Sequence, residues 1–150
     1  MAALSSDRLR DLLPPSSIVF AATAVDADDA IRQTGAVLVS ANAVAPHYVD
    51  AMLEREASVS TFVGDGIAMP HGTLTAKDDV EAEGLALMLL ADPIDWNGDE
   101  VSIVIAIAAR GRRYIALISQ LAAVLLDADR AAALRAAITA DDVYAVFDAA

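Results

Sequence analysis

Hydrophobic residues form two long runs in the second half of the chain, Leu85–Ala91 and Val101–Ala109, of which the second is broken only by Ser102. Strands that are covered on both faces are apolar at nearly every position, whereas half-exposed strands alternate. The two runs therefore predict central strands of a sheet, joined by a polar connection over Asp92–Glu100 with Asn97-Gly98 as its strongest turn signal. Shorter strands are predicted by three further apolar pieces, Ile18–Ala21, Thr61–Val63 and Ile67–Met69.

Apolar residues recur at helical spacing in the segments between and after these strands. Asp26 begins the first predicted helix, because its carboxylate can accept the unpaired N–H groups of a first turn, and Pro46 begins the second. The last third of the chain is predicted to be helical, with Asp127 or Asp129 capping one helix and Thr139 the final one. The apolar stripes of the second, third and final predicted helices are Val49, Met52 and Leu53; Ile115, Ile118, Leu121, Ala122 and Leu125; and Val143, Val146 and Phe147.

Buried strands preceded and followed by helices favour an α/β domain. We expect a mixed β-sheet of about five strands with helices on both faces, folded as a single compact domain. The polar, charged N-terminal segment ends at Pro14-Pro15 and is interpreted as an arm or a short helix. Residues 1–15 are thus predicted to form an N-terminal arm, and residues 16–150 the domain.

Composition narrows the possible chemistry. Ten Lys+Arg and 22 Asp+Glu leave a net charge of −12, which argues against nucleic acid as a partner because phosphate backbones require a basic face. The chain has no cysteine and only two histidines, so neither thiol chemistry nor a metal site is expected. No apolar segment has the length of a membrane span, and the charged N-terminus lacks the apolar stretch of a signal peptide. We therefore expect a cytoplasmic protein.

The two histidines lie in different settings. His47 follows Pro46 at a predicted helix start, where its ring is expected to face solvent. His71 follows a short predicted strand, a place where α/β proteins commonly carry functional side chains. Beside it, Gly72 removes bulk and Thr73 places a hydroxyl where it can orient a ring nitrogen or a bound oxyanion. The residues alone leave open whether His71 is functional or structural.

Three segments resemble a known family: Ala51–Glu56 (AMLERE), Gly66–Thr73 (GIAMPHGT) and Ile105–Arg110 (IAIAAR). Together they resemble the mannitol/fructose-type enzyme IIA of the phosphoenolpyruvate-dependent sugar phosphotransferase system, over nearly the whole chain. The resemblance implies that His71 accepts a phosphoryl group from the phosphohistidine of the carrier protein HPr. His71 then passes the group to a cysteine of a IIB component, for uptake of mannitol, fructose or a related sugar. No metal or organic cofactor is implied, and the membrane component IIC is an indirect partner.

The resemblance also implies roles for further residues. Arg55 corresponds to an arginine near the phosphoryl site, where a guanidinium can hold phosphoryl oxygens; an ion pair on a solvated helix is the alternative. Arg110, at the end of a predicted strand, either faces the site or caps that strand. Family members usually carry a second histidine where this chain has Tyr114. We expect the Tyr114 ring beside His71, with its hydroxyl reaching a ring nitrogen or a phosphoryl oxygen.

Tyr114 is the clear departure from the family pattern. A tyrosine donates one hydrogen bond but carries no positive charge. This substitution favours the alternative function, a regulatory or binding module of the same fold with weak or no transfer activity. The neighbouring Arg112 and Arg113 either supply the missing charge or lie in a surface turn.

Overall fold

A computed structural model describes residues 9–110 and 113–148 of the chain. One mixed sheet forms its centre, with the parallel pairs β1–β4 and β3–β5 and the antiparallel pairs β2–β3 and β4–β5, in the order β1-β4-β5-β3-β2. Its strands are β1 (Ile18–Ala22), β2 (Phe62–Gly64), β3 (Ile67–Ala68), β4 (Gly84–Trp96) and β5 (Asp99–Ala108). The predicted five-stranded mixed sheet is therefore confirmed.

Helices flank this sheet, and their starts agree with the predicted caps. At the start of α1, Asp26 accepts a hydrogen bond from the N–H of Asp29, and at the start of α5, Thr139 exchanges hydrogen bonds with Asp142. Of the two aspartates proposed for α4, Asp127 is the cap. The helices are α1 (Ala27–Ser40), α2 (His47–Ser58), α3 (Arg113–Leu125), α4 (Ala128–Arg135) and α5 (Ala140–Asp148), with short 3-10 helices at Pro15–Ser17 and Leu74–Asp79.

Successive side chains of β4 point to opposite faces of the sheet, and both faces are covered. Its leucines at positions 85, 87 and 89 belong to one hydrophobic core with α3, α4 and α5. The residues at positions 86, 88 and 90 belong to a second core with α1 and α2. Since neither face meets solvent, both sets are apolar, which explains the uninterrupted run and confirms the prediction of helices on both faces.

The predicted connection over Asp92–Glu100 is wrong in extent. The β4 strand continues to Trp96 and β5 resumes at Asp99, so that only Asn97 and Gly98 form the turn. Both turn residues have positive φ, 55° and 100°, as in the tight turns that follow the twist of a hairpin. The strand extension beyond residue 90 is largely exposed and acidic, and this composition is that of a loop.

The buried side of α2 also differs from the predicted stripe. Met52 is buried as predicted, but its buried companions are Tyr48, Ala51 and Glu56, while Val49 and Leu53 are only half-buried. The helix is thus rotated so that two polar side chains face the interior. Both of them contribute to the candidate site.

Part of the predicted N-terminal arm, residues 1–8, lies outside the described residues. Within the remainder, Leu9 and Leu13 are buried in the same core as α5. The Tyr144 hydroxyl donates to the Leu13 carbonyl oxygen at 2.6 Å, and Arg10 forms an ion pair with Asp148. These contacts join the two ends of the described chain. No helix in these ranges is long and apolar enough to cross a membrane.

Candidate functional site

His71 lies three residues after the end of β3, beside strand β5 of the sheet. It pairs with Ile107 of β5 in a parallel bridge, and the Ile107 N–H donates to the Pro70 carbonyl at 2.9 Å. The side chain is buried, with 4% of the residue exposed. Strand pairing therefore continues into the Pro-His-Gly segment and fixes the position of the backbone that carries the imidazole.

The two ring nitrogens of His71 have different surroundings. Nδ1 lies 2.9 Å from the Met69 carbonyl oxygen. Because a carbonyl only accepts, Nδ1 carries the proton, and Nε2 of a neutral ring then holds a lone pair. Nε2 is buried and has no hydrogen-bond partner among the described residues. The geometry thus leaves one unprotonated, unpartnered nitrogen, which is the chemical requirement for a nucleophile.

Burial lowers the pKa of His71 below its ordinary value, because its surroundings disfavour a charged ring. The hydrogen bond to Met69 raises this pKa, the positive charge of Arg55 lowers it, and the carboxylate of Glu56 raises it. Burial is the largest of these effects. The imidazole of His71 is therefore neutral at neutral pH.

Most of the predicted site residues meet around one cavity. Its volume is about 310 Å³. The lining residues are Glu54, Arg55, Ser58, His71, Gly72, Thr73 and Tyr114. Helix α2, the segment after β3 and helix α3 thus each contribute a wall, and the structure brings together an imidazole, a guanidinium and hydroxyl groups.

The Tyr114 ring stacks on the ring of His71. Their centroids are 4.9 Å apart and their planes are inclined by 22°. This confirms the expected proximity of the two rings. The expected hydrogen bond to the free ring nitrogen is not formed, since Nε2 has no partner in the described part of the chain. Tyr114 therefore contacts His71 through its aromatic face.

Arg55 is half-buried near the end of α2. Its Nη1 donates to the carbonyl oxygen of Val59, a residue just beyond the helix. This bond satisfies one of the helix-terminal carbonyls and ties the long side chain down. The guanidinium stays beside the cavity and close enough to His71 to influence its pKa.

Arg110 and His47 are not among the residues that line the cavity. Arg110 donates from Nε to the Val80 carbonyl oxygen at 2.9 Å, so its side chain is bonded to the segment before β4. The His47 side chain is 86% exposed, and its Nδ1 lies 3.9 Å from a carboxylate oxygen of Asp50. The expectation of a solvated ring at this position is confirmed.

The arginines before Tyr114 were expected either to face the site or to lie in a surface turn. Arg113 forms an ion pair with Glu83, at 2.7 Å from Nε, and its side chain is 45% exposed. It does not line the cavity. Arg112 lies outside the described residues.

Sequence reasoning missed Tyr48. Its hydroxyl donates to the Ile107 carbonyl oxygen at 2.9 Å and accepts from the Gly72 N–H, also at 2.9 Å. The phenol thus bonds to both segments that flank His71. The available signal was its helical spacing of four residues from the buried Met52.

Glu56 was missed as well. Its residue is only 6% exposed, and its two carboxylate oxygens accept from the N–H and hydroxyl of Thr61, from the indole of Trp96 and from the amide of Asn97. The Thr61 carbonyl in turn accepts from the Met69 N–H at 3.0 Å. Four donors on one carboxylate offset the cost of burying it. Glu56 therefore connects the end of α2 with the hairpin turn and with the segment before His71.

This fold is that of the enzyme IIA class of sugar phosphotransferase components. The family model "Phosphoenolpyruvate-dependent sugar phosphotransferase system, EIIA 2" matches residues 11–150. The chain is 36% identical over 134 residues to a mannitol-specific phosphotransferase enzyme IIA component of Halalkalibacterium halodurans, covering 89% of this chain and 92% of the relative. The chain therefore belongs to the EIIA 2 family of the phosphoenolpyruvate-dependent sugar phosphotransferase system.

Two further relatives extend the comparison. One is the structure of the Escherichia coli complex of enzyme IIA mannitol with phosphorylated enzyme IIB mannitol, with a TM-score of 0.86 and 31% identity over 93% of this chain and all of that one. The other is the multiphosphoryl transfer protein of Escherichia coli O157:H7, which is 41% identical over 122 residues. That match covers 81% of this chain and 32% of the longer protein.

Proposed function

We propose that this enzyme IIA component carries a phosphoryl group on Nε2 of His71. It accepts the group from the phosphohistidine of HPr and passes it to a cysteine of a IIB component, for uptake of mannitol, fructose or a related sugar. One observation carries the proposal: the buried His71 ring lines the same cavity as Arg55, donates from Nδ1 to Met69, and leaves Nε2 without a partner among the described residues.

The proposed reaction needs only side chains of the two proteins, without metal or organic cofactor. The Nε2 lone pair forms a new N–P bond while the N–P bond of the donor breaks, and that electron pair returns to the donor ring. In the second transfer a thiolate forms the S–P bond and Nε2 recovers its electron pair. The ring is most positive after it has accepted the group, and the Nδ1–H bond to Met69 stabilises that charge.

Arg55 offsets the negative charge of the phosphoryl oxygens in this proposal, and Thr73 and Gly72 line the same cavity. Because Nε2 is covered in this structure, the docked donor must displace one of the side chains lining the cavity before transfer. Such gating is common where reacting groups have to be shielded from water.

The relatives support the proposed partners. A relative of this fold is found in complex with a phosphorylated IIB protein, and another relative is named for multiphosphoryl transfer. A net charge of −12 suits a basic protein donor, because opposite charge accelerates encounter without requiring tight binding. We place the chain in the cytoplasm, where it contacts the membrane component IIC only through IIB and has no nucleic-acid partner.

One observation favours a second candidate, a regulatory module with weak or no transfer. Tyr114 covers the face of His71 at the position of the family's second histidine and brings no positive charge. In this alternative the module acts through contacts with other proteins rather than as an obligatory carrier.

The test is phosphorylation from labelled phosphoenolpyruvate with enzyme I and HPr, followed by a denaturing gel. Transfer predicts rapid labelling that is labile to acid and stable to base, lost in His71→Ala and retained in His47→Ala. A folded wild-type protein that stays unlabelled would support the regulatory candidate. Full labelling of His71→Ala would refute the assignment of the acceptor.

A further inference from the structure

We propose that Tyr48 is a positioning residue for phosphoryl transfer, an inference that rests on the proposed function. Its hydroxyl holds the segment that carries His71 against β5, and so sets the direction in which Nε2 faces an incoming phosphoryl group. Tyr48 does not line the cavity and acts through its neighbours.

The hydrogen bonds of Tyr48 lie on both sides of the reactive residue. Its hydroxyl accepts from the N–H of Gly72, which follows His71, and donates to the carbonyl of Ile107, which pairs with His71. On the preceding side, the Ile107 N–H donates to Pro70. The Pro-His-Gly segment is therefore anchored to β5 before and after the imidazole, directly at Pro70 and through the phenol at Gly72.

Contact between Tyr48 and Gly72 is close as well as polar. A methyl group added at Gly72 would lie 2.5 Å from Cε1 and 2.8 Å from Cζ of the tyrosine. The backbone of the segment therefore packs directly against the phenol ring, with no space for a side chain at residue 72.

Tyr48 lies on the same helix as Arg55, seven residues earlier. Two turns of an α-helix correspond to about seven residues, so both side chains project from one side of α2. One helix thus holds both the phenol that bonds to the backbone beside His71 and the guanidinium that lines the same cavity. When the docked donor displaces the side chain that covers Nε2, helix α2 keeps the His71 imidazole and the Arg55 guanidinium in the same relative position.

The protonation state of Tyr48 fits this role. Burial raises the pKa of its hydroxyl above the ordinary value, and the Gly72 N–H lowers it by a smaller amount. The phenol is therefore neutral at neutral pH and donates to Ile107 while it accepts from Gly72. A phenylalanine would fill the same space and lose both bonds.

The chain offers a matched control in Tyr144. Its hydroxyl also donates to a backbone carbonyl, that of Leu13 at 2.6 Å, but in the core on the opposite face of the sheet. Tyr48→Phe and Tyr144→Phe each remove one phenol hydroxyl with no other change of shape. A purely structural role of Tyr48 would give the two variants the same behaviour: lower stability and normal transfer.

The experiment measures single-turnover transfer from phosphorylated HPr, with HPr concentration varied, beside urea unfolding of each variant. We expect Tyr48→Phe to lower the maximal transfer rate about tenfold, which corresponds to a loss of about 1.4 kcal/mol of transition-state stabilisation, with an unchanged half-saturating HPr concentration. Tyr144→Phe should transfer within about twofold of wild type at a comparable loss of stability. A Tyr48→Phe protein with the wild-type maximal rate would overturn the inference.

A second readout separates this inference from the proposed function. Nitrogen NMR of ¹⁵N-histidine-labelled protein reports the tautomer of His71 without any donor. We expect the single Nδ1–H tautomer in wild type and Tyr144→Phe, and a mixture in Tyr48→Phe. If wild type accepts no phosphoryl group, the proposed function fails, and an unchanged tautomer in Tyr48→Phe then overturns the positioning role as well. A mixed tautomer there would support the positioning of His71 independently of transfer.

Discussion

Replacement of Gly72 by alanine tests the packing that supports His71. The new methyl carbon would lie 2.5 Å, 2.8 Å and 3.1 Å from three carbons of the Tyr48 ring, where ordinary carbon contacts are about 3.5–4.0 Å. Only 2% of the Tyr48 residue is exposed and its hydroxyl forms two hydrogen bonds, so the ring cannot turn aside at little cost. Relief therefore requires a movement of about 1 Å of either the ring or the backbone at residue 72.

The expected cost follows from these contacts. Overpacking a well-packed site typically costs about 1–3 kcal/mol, and weakening the two bonds of the Tyr48 hydroxyl adds about 1 kcal/mol. The lower conformational entropy of alanine in the unfolded chain returns about 0.4–1 kcal/mol. We expect a net loss of about 2 kcal/mol in the free energy of unfolding, or about 4–8 °C in Tm for a chain of this size.

The assay for Gly72→Ala is a thermal and urea melt beside single-turnover transfer from phosphorylated HPr. Transfer should fall by at least about tenfold, because the backbone that moves is the one next to His71. Gly84→Ala is the control: its new methyl would meet only the Ala43 methyl, at 3.2 Å, and we expect a change below about 1 kcal/mol. A Gly72→Ala protein that melts and transfers like wild type would refute the reasoning.

Three further predictions concern the walls of the cavity. Arg55→Lys keeps the charge but loses the planar fork, and we expect about tenfold slower transfer in quench-flow with a nearly unchanged melt; a wild-type rate would remove Arg55 from the site. Tyr114→Phe should leave the His71 pKa unchanged in an NMR titration, whereas Tyr114→Ala uncovers the His71 ring and should raise this pKa towards its ordinary value. Equal His71 pKa values in the two variants would contradict shielding by the stacked tyrosine ring. The pKa of His71 is depressed in the folded protein, so below about pH 6.5 the unfolded chain binds a proton that the folded protein does not. Wild-type stability should therefore fall more than that of His71→Gln as the pH is lowered from about 7.5 to 5.5. Urea melts that show the same loss of stability in both proteins would disprove this.

The fold was largely predictable from the alternation of side chains. The apolar runs of β4 and β5 required cover on both faces, and the helices that provide it carry recognisable caps such as Asp26. The strand extension to Trp96 was not predictable, because outward-facing acidic residues on an exposed hairpin resemble those of a loop. The pattern of hydrophobic and polar residues indicates which positions are buried, whereas the exposed part of the hairpin is held by pairing between the two strands.

The site was predictable only in part. His71, Arg55 and Tyr114 were identified through the resemblance to a family, and they meet around one cavity. Tyr48 and Glu56 were missed because a polar side chain on a helix is assigned to solvent unless its buried partners are known. Those partners, among them the Ile107 carbonyl and the Trp96 indole, are distant in sequence and are brought together only by the tertiary fold.

The pairing of Arg10 with Asp148 has an architectural consequence. Because the first and last described turns are in contact, the two ends of this unit lie side by side. The unit can therefore be inserted into a longer polypeptide without disrupting the sheet. The matching segment covers only 32% of the multiphosphoryl transfer protein of Escherichia coli O157:H7, so in that protein a similar unit is one part of a longer chain. We therefore expect a circular permutant to fold with the same cavity around His71. Such a permutant would join these two turns by a short linker and have its new termini in an exposed loop.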